Sequence, residues 1–136
     1  MTKHSREKLI EMAIDFFLSM NDNNAAKAVT NMAENCKMHF TAAKYVYPDR
    51  ASVQEHLHDT ATVFEIINFH KFHSVADVEG QSVAVRFHVE LKNYDGEITA
   101  MKNSNWFMCN DDGLFEEILI FNSGPLKEGF EVGSVA

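Results

Sequence analysis

Leu9, Met12, Ala13, Phe16, Phe17 and Met20 recur at i, i+3, i+4, i+7, i+8 and i+11, the spacing of one helix face. Ile10, Ile14 and Leu18 widen that stripe, which predicts a helix covered on more than one side. Ser5 is placed to cap it, and Glu7 lies in its first turn, where a negative charge suits the helix dipole. The string "NDNN" at 21–24 ends the helix, and Ala25, Ala28, Val29 and Met32 outline a short second one. "KMHFTA" (37–42) reads as a first strand. A third helix opens at Pro48–Asp49 with Asp49 as its cap, and Val53, Leu57, Thr60, Ala61 and Phe64 form its inner face.

Beyond Phe64 the period changes from 3.6 to 2. "INFHKFHSVADVE" (67–79) reads as a strand ended by Gly80. In "SVAVRFHVELK" (82–92), Val83, Val85, Phe87, Val89 and Leu91 take one face, and Arg86, His88, Glu90 and Lys92 the other. Asp95–Gly96 and Asp112–Gly113 are hairpin signals that bracket a strand at 97–109, and 114–122 supplies a last strand. Tyr45 and Tyr47 fall in a loop on this reading, and "SGPLKEGFEVGSVA" is a tail with little core character. The order α, α, β, α, β, β, β, β defines an α+β fold: N-terminal helices packed on a curved antiparallel sheet, a cone that encloses a pocket. The expected organisation is a single domain over 1–124 and a C-terminal tail over 125–136.

At 136 residues the chain is long enough to bury a core without covalent staples. A net charge of −8 argues against nucleic-acid binding, which draws its affinity from Lys and Arg. Cys36 and Cys109 are two in number and far apart, as expected of free thiols in a reducing cytoplasm. Glu11 and Asp15 interrupt the first apolar stretch, so it reads as an amphipathic helix, with no membrane span or signal peptide expected.

Several strings in this order resemble the nuclear-transport-factor-2-like superfamily, in its SnoaL-like and ketosteroid-isomerase-like small-molecule branch. They are "AIDFFLSMNDNNAAKAV", "MAENCKMHF", "YPDRASVQEHL", "VADVEGQSVAVRFHVEL" and "WFMCNDDGLFEEILIF", and together they span about residues 7–123. The resemblance implies a cystatin-like cone lined by apolar side chains, with a few polar groups at its floor. Ketosteroid isomerases use a carboxylate base from the first strand and an oxyanion hole made from a tyrosine and a protonated acid. Here the position of the base corresponds to Phe40, beside His39, and the first-helix tyrosine to Phe16. A supporting tyrosine on the third helix corresponds to Leu57, and the acid on the sheet to Asn105. All four depart from the pattern, so that mechanism is not supported.

What remains is amide and imidazole chemistry. Asn103, Asn105 and Asn122 share the interior face with Met101, Phe107, Ile118 and Ile120, where amides can hold a carbonyl or hydroxyl. The alternative is a wet end of the sheet. His70 alternates with Asn68 and Phe72, which points it inward as the first acid–base candidate, and His73 outward. His39 is the second candidate, although alternation turns it away from Met38 and Phe40. His56 could line the helix side of the cavity beside Leu57, and Asp15 is expected on a solvated face. No metal is expected: His56 and His58 point about 200° apart on a helix, and no zinc-binding motif is present. Phosphate-cradling loops and nucleophile elbows are missing as well, so no cofactor is expected.

Trp106 and Met108 take the opposite face of their strand, near Arg86 and His88 from the neighbour, a composition suited to a homodimer interface. The alternative packs Trp106 under the tail through Leu126 or Phe130. Three functions stay open at this level. One is a cofactor-free lyase, isomerase or cyclase acting on a hydrophobic oxygenated small molecule. The others are a non-catalytic binding protein with the same pocket, and a dimeric interaction module in which the cavity is incidental.

Overall fold

The computed structural model describes residues 2–123; the expected tail at 125–136 lies outside them, as do Leu126 and Phe130. Helix α1 spans Arg6–Asn21, with the Ser5 hydroxyl accepting from the Lys8 N–H at 3.1 Å. Its buried residues form one broad side; Ile10 and Ile14 only border it, and Leu18 is exposed, so the wider burial expected for α1 is not found. Asp15 is exposed, as expected.

The second helix, α2, is only Ala25–Ala28. Val29 and Met32 are buried, but in a turn and in the first strand, because β1 already begins at Met32 and runs to Phe40. Three further differences follow from cross-strand pairing that periodicity does not carry. Tyr45–Tyr47 is a short strand, β2, in a hairpin with β1 whose turn places Lys44 at φ 54°. After helix α3 (Arg50–Val63), strand β3 starts at once and covers Phe64–Asp77. Within β3 the register slips: His70 pairs with His88 and His73 with Arg86, so Lys71 and Phe72 together face Phe87. Two residues against one is a β-bulge, and Lys71 holds the left-handed conformation, φ 57°, that such an insertion requires.

Among the described residues, strands β4 (Ser82–Asn93), β5 (Ile98–Cys109) and β6 (Phe115–Asn122) complete a six-stranded sheet of order β2-β1-β6-β5-β4-β3. Only β1 and β6 run parallel; the other pairs are antiparallel. The fold is therefore α+β, with the helices on one face of a mostly antiparallel sheet. The capping expected at Asp49 is present and reciprocal: its carboxylate accepts the Ser52 N–H at 2.8 Å, and Ser52 Oγ closes back on the Asp49 N–H.

Phe17 on α1 centres the core, with the rings of Phe16, Phe69, Phe72, Phe87 and Phe107 at 4.3–5.9 Å between centroids. The bulge allows this, because it turns both Phe69 and Phe72 inward. As β3 is an edge strand, Phe69 has backbone groups free of the ladder. Asn21 at the end of α1 takes both, donating to the Phe69 carbonyl at 3.0 Å and accepting its N–H at 2.7 Å. One amide thus adds both a donor and an acceptor bond to the aromatic packing between helix and sheet edge. Burial pushes the Cys36 thiol up to about 12 and that of Cys109 to about 11, so both are free and weakly reactive.

Candidate functional site

Helix α1 lies over β3 and β4, while α3 meets β1, β2 and the start of β3. Between the helices and the inner face of the sheet the cone stays open as a cavity of about 250 Å³. Its wall is mostly apolar, from Phe16, Met20 and Leu57 on the helices to Phe40, Val89 and Met101 on the sheet. Among the described residues no Asp, Glu, Lys or Arg lines it.

The polar groups fall into two sets. The first is a ladder of amides on β5 and β6. Asn105 lies deepest, 2% exposed; Asn103 is 8% exposed, and Asn122, opposite it in register, is open to solvent at the mouth. Strand alternation places Asn103 and Asn105 together, and the antiparallel pairing brings Asn122 beside them. Asn103 Oδ1 accepts the Ser123 N–H at 3.4 Å. Asn105 Oδ1 is sealed from solvent and has no partner among the described residues.

The second set is on α3 and β2. His56 lines the cavity, and its Nδ1 lies 2.9 Å from the Tyr47 hydroxyl, with the two rings stacked at 4.5 Å. Phe40 closes on His56 edge-on at 5.4 Å. Burial holds the imidazole below its ordinary pKa, only partly opposed by the Asp59 carboxylate. Burial, with Tyr45 nearby, raises the Tyr47 phenol. A neutral imidazole that accepts the phenol proton at Nδ1 carries its own proton on Nε2, so the pair can hold a proton and pass one on.

Of the residues singled out from the sequence, Asn103, Asn105, Asn122, Phe16, Phe40, His56 and Leu57 line the cavity. Phe107 does not: fully buried, it packs between Phe16 and Phe115 below the floor. His70 does not reach the cavity either, a correction to its expected orientation. The bulge sets it on the outer face beside His88, with Nε2 3.1 Å from Glu90. His39 is also on the outer face, 3.3 Å from Glu117. Trp106, Arg86, His88 and Met108 occupy that same face, with Trp106 46% exposed. The sequence reading missed the pairing of Tyr47 with His56. Two tyrosines at 45 and 47, a strand-like alternation of aromatics, were the available signal. Among the described residues no three His, Cys, Asp or Glu side chains are placed to hold a metal, and no helix is long and apolar enough to cross a membrane.

No family model matches the chain in sequence, and no curated protein does. Solved structures do match in fold. The epoxide hydrolase/cyclase-like enzyme SalBIII, connected with pyran ring formation in the polyether salinomycin, superposes with a TM-score of 0.77 at 20% identity, covering 90% of this chain and 98% of that one. BvnE pinacolase from Penicillium brevicompactum gives 0.76 at 15% identity, over 88% and 89% of the two chains. A protein assigned as a SnoaL-like polyketide cyclase, from Shewanella denitrificans OS-217, gives 0.74 at 12%, over 86% and 91%. The structural neighbours are thus SnoaL-like cyclases, epoxide hydrolase/cyclase-like enzymes and cystatin-like-fold proteins, and what this chain shares with them is the cystatin-like fold.

Proposed function

We propose that the chain binds a small, uncharged, largely apolar molecule bearing oxygen in the cone, and acts on it by cofactor-free acid–base chemistry through His56. Isomerisation, elimination and cyclisation are the reaction classes that need only such proton movement. The carrying observation is a histidine that burial holds below its ordinary pKa, in a wall to which the described residues bring no Asp, Glu, Lys or Arg, hydrogen-bonded to a tyrosine and sharing the cavity with a ladder of amides. His56 would move the proton, Tyr47 would hold the ring and its tautomer, and the asparagines would hold the ligand's oxygen. The cyclase and pinacolase neighbours support this choice of substrate class by analogy of fold. The described residues bring no carboxylate to the cavity wall, which favours one alternative, binding without turnover.

The test is a screen of uncharged ketones, alcohols and epoxides for conversion, read by mass spectrometry. Conversion should fall about 100-fold or more in His56→Phe and less in Tyr47→Phe. Binding without conversion would leave the alternative. A His56→Phe variant that turns over normally would remove His56 from the chemistry.

A second copy of the chain is the partner this reading includes. Val75, Ala84, Trp106, Leu119, His39 and Val46 form one cross-strand row over all six strands of the outer face. Val75, Trp106 and Val46 in that row are exposed apolar side chains, the material of a self-complementary contact. Trp106→Glu should then halve the mass in light scattering; an unchanged mass would argue against this face. The weakly reactive, unpaired thiols suit a reducing cytoplasm.

A further inference from the structure

Among the described residues, Asn105 is a cavity group that keeps a buried polar atom unpaired. It is 2% exposed, lies between Val85 and Ile120 in the sheet, and has an acceptor oxygen with no partner among the described residues. Buried amides are normally paired, so an orphan on a cavity wall marks a partner supplied from elsewhere. Asn103 is next on the same face, two residues along the strand and about 7 Å away. Its oxygen accepts the Ser123 N–H at 3.4 Å, a proton shared with the Lys102 carbonyl at 3.3 Å. The spare end of Asn103 is therefore its NH2. The amide of Asn105 turns about a soft terminal torsion, which can bring its oxygen toward a ligand.

Resting on the function proposed above, we infer that the ligand carries a hydroxyl seated between Asn103 and Asn105, accepting from the first and donating to the second. A carbonyl or ether oxygen could accept from the amide N–H groups but has no proton to give, and would leave the Asn105 oxygen unpaired. A wall to which the described residues bring no charge favours uncharged groups in the rest of the molecule. Size narrows it further: an engineered cavity of about 150 Å³ takes benzene. The 250 Å³ here therefore fits a hydroxylated bicyclic compound.

Isothermal titration of the full chain with 2-naphthol, 2-methoxynaphthalene and 2-naphthaldehyde tests this. All three share the ring system and differ in what the oxygen can donate. We expect 2-naphthol to bind at least tenfold more tightly than either of the others, and the margin to shrink to about twofold in Asn105→Leu. Equal or tighter binding of the ether or aldehyde by the unmodified protein would overturn the hydroxyl assignment, while leaving the pocket reading in place. Binding of none of the three would overturn the pocket reading and this inference together.

Discussion

Replacing Asn105 by leucine should make the empty protein more stable. The amide is buried and its oxygen has no partner, so folding strips it of water without return. An unsatisfied buried polar group costs about 1–3 kcal/mol. Leucine removes that cost, keeps a similar shape, and places methyl groups beside Val85, Ile120 and the cavity. The expected gain is about 1–2 kcal/mol, or roughly 3–8 °C in Tm for a chain of this size. Urea melts followed by circular dichroism would show a higher midpoint with an unchanged slope. Asn103→Leu is the control with the opposite sign: it removes an acceptor used by the Ser123 N–H and should cost about 0.5–1 kcal/mol. If Asn105→Leu destabilises the protein by more than about 1 kcal/mol, the amide is structural, and the argument from its missing partner fails.

Asn21→Ala should cost about 1–3 kcal/mol in urea melts, because both bonds to the Phe69 backbone are lost at the sheet edge. At the bulge, Lys71→Gly should stabilise by up to about 1 kcal/mol, and Lys71→Val should destabilise by about 1–2 kcal/mol, since only glycine adopts the left-handed conformation without penalty; equal melts for both would refute the bulge. Stability should also depend on pH through His56. Its folded pKa lies below the ordinary 6.5, so the unfolded chain binds the proton more readily. Stability is then full above about pH 6.5 and declines as pH falls from there toward the folded value. His88, lowered by burial and by Lys71, Lys102 and His70, adds a slope of the same sign. His56→Phe should flatten the profile between about pH 5 and 7 but leave the part due to His88; a profile identical to that of the unmodified chain would show His56 to be freely solvated.

The sequence by itself determined the layout. Helix capping at Ser5 and Asp49, the aromatic face of α1, and the alternation of β4 and β5 are local properties, written in the spacing of side chains a few residues apart. That alternation was enough to set Asn103 and Asn105 on the inner face and Trp106 on the outer one. It failed at His70, where alternation assumes one residue per pleat. The inserted Lys71 has no signature of its own; what selects it is the fit of Phe69 and Phe72 around Phe17 and Phe87. The tertiary structure therefore decided which histidine meets the cavity. His56 gains its phenol partner because the β1–β2 hairpin folds Tyr47 against α3, a contact between elements that no periodicity within either one encodes.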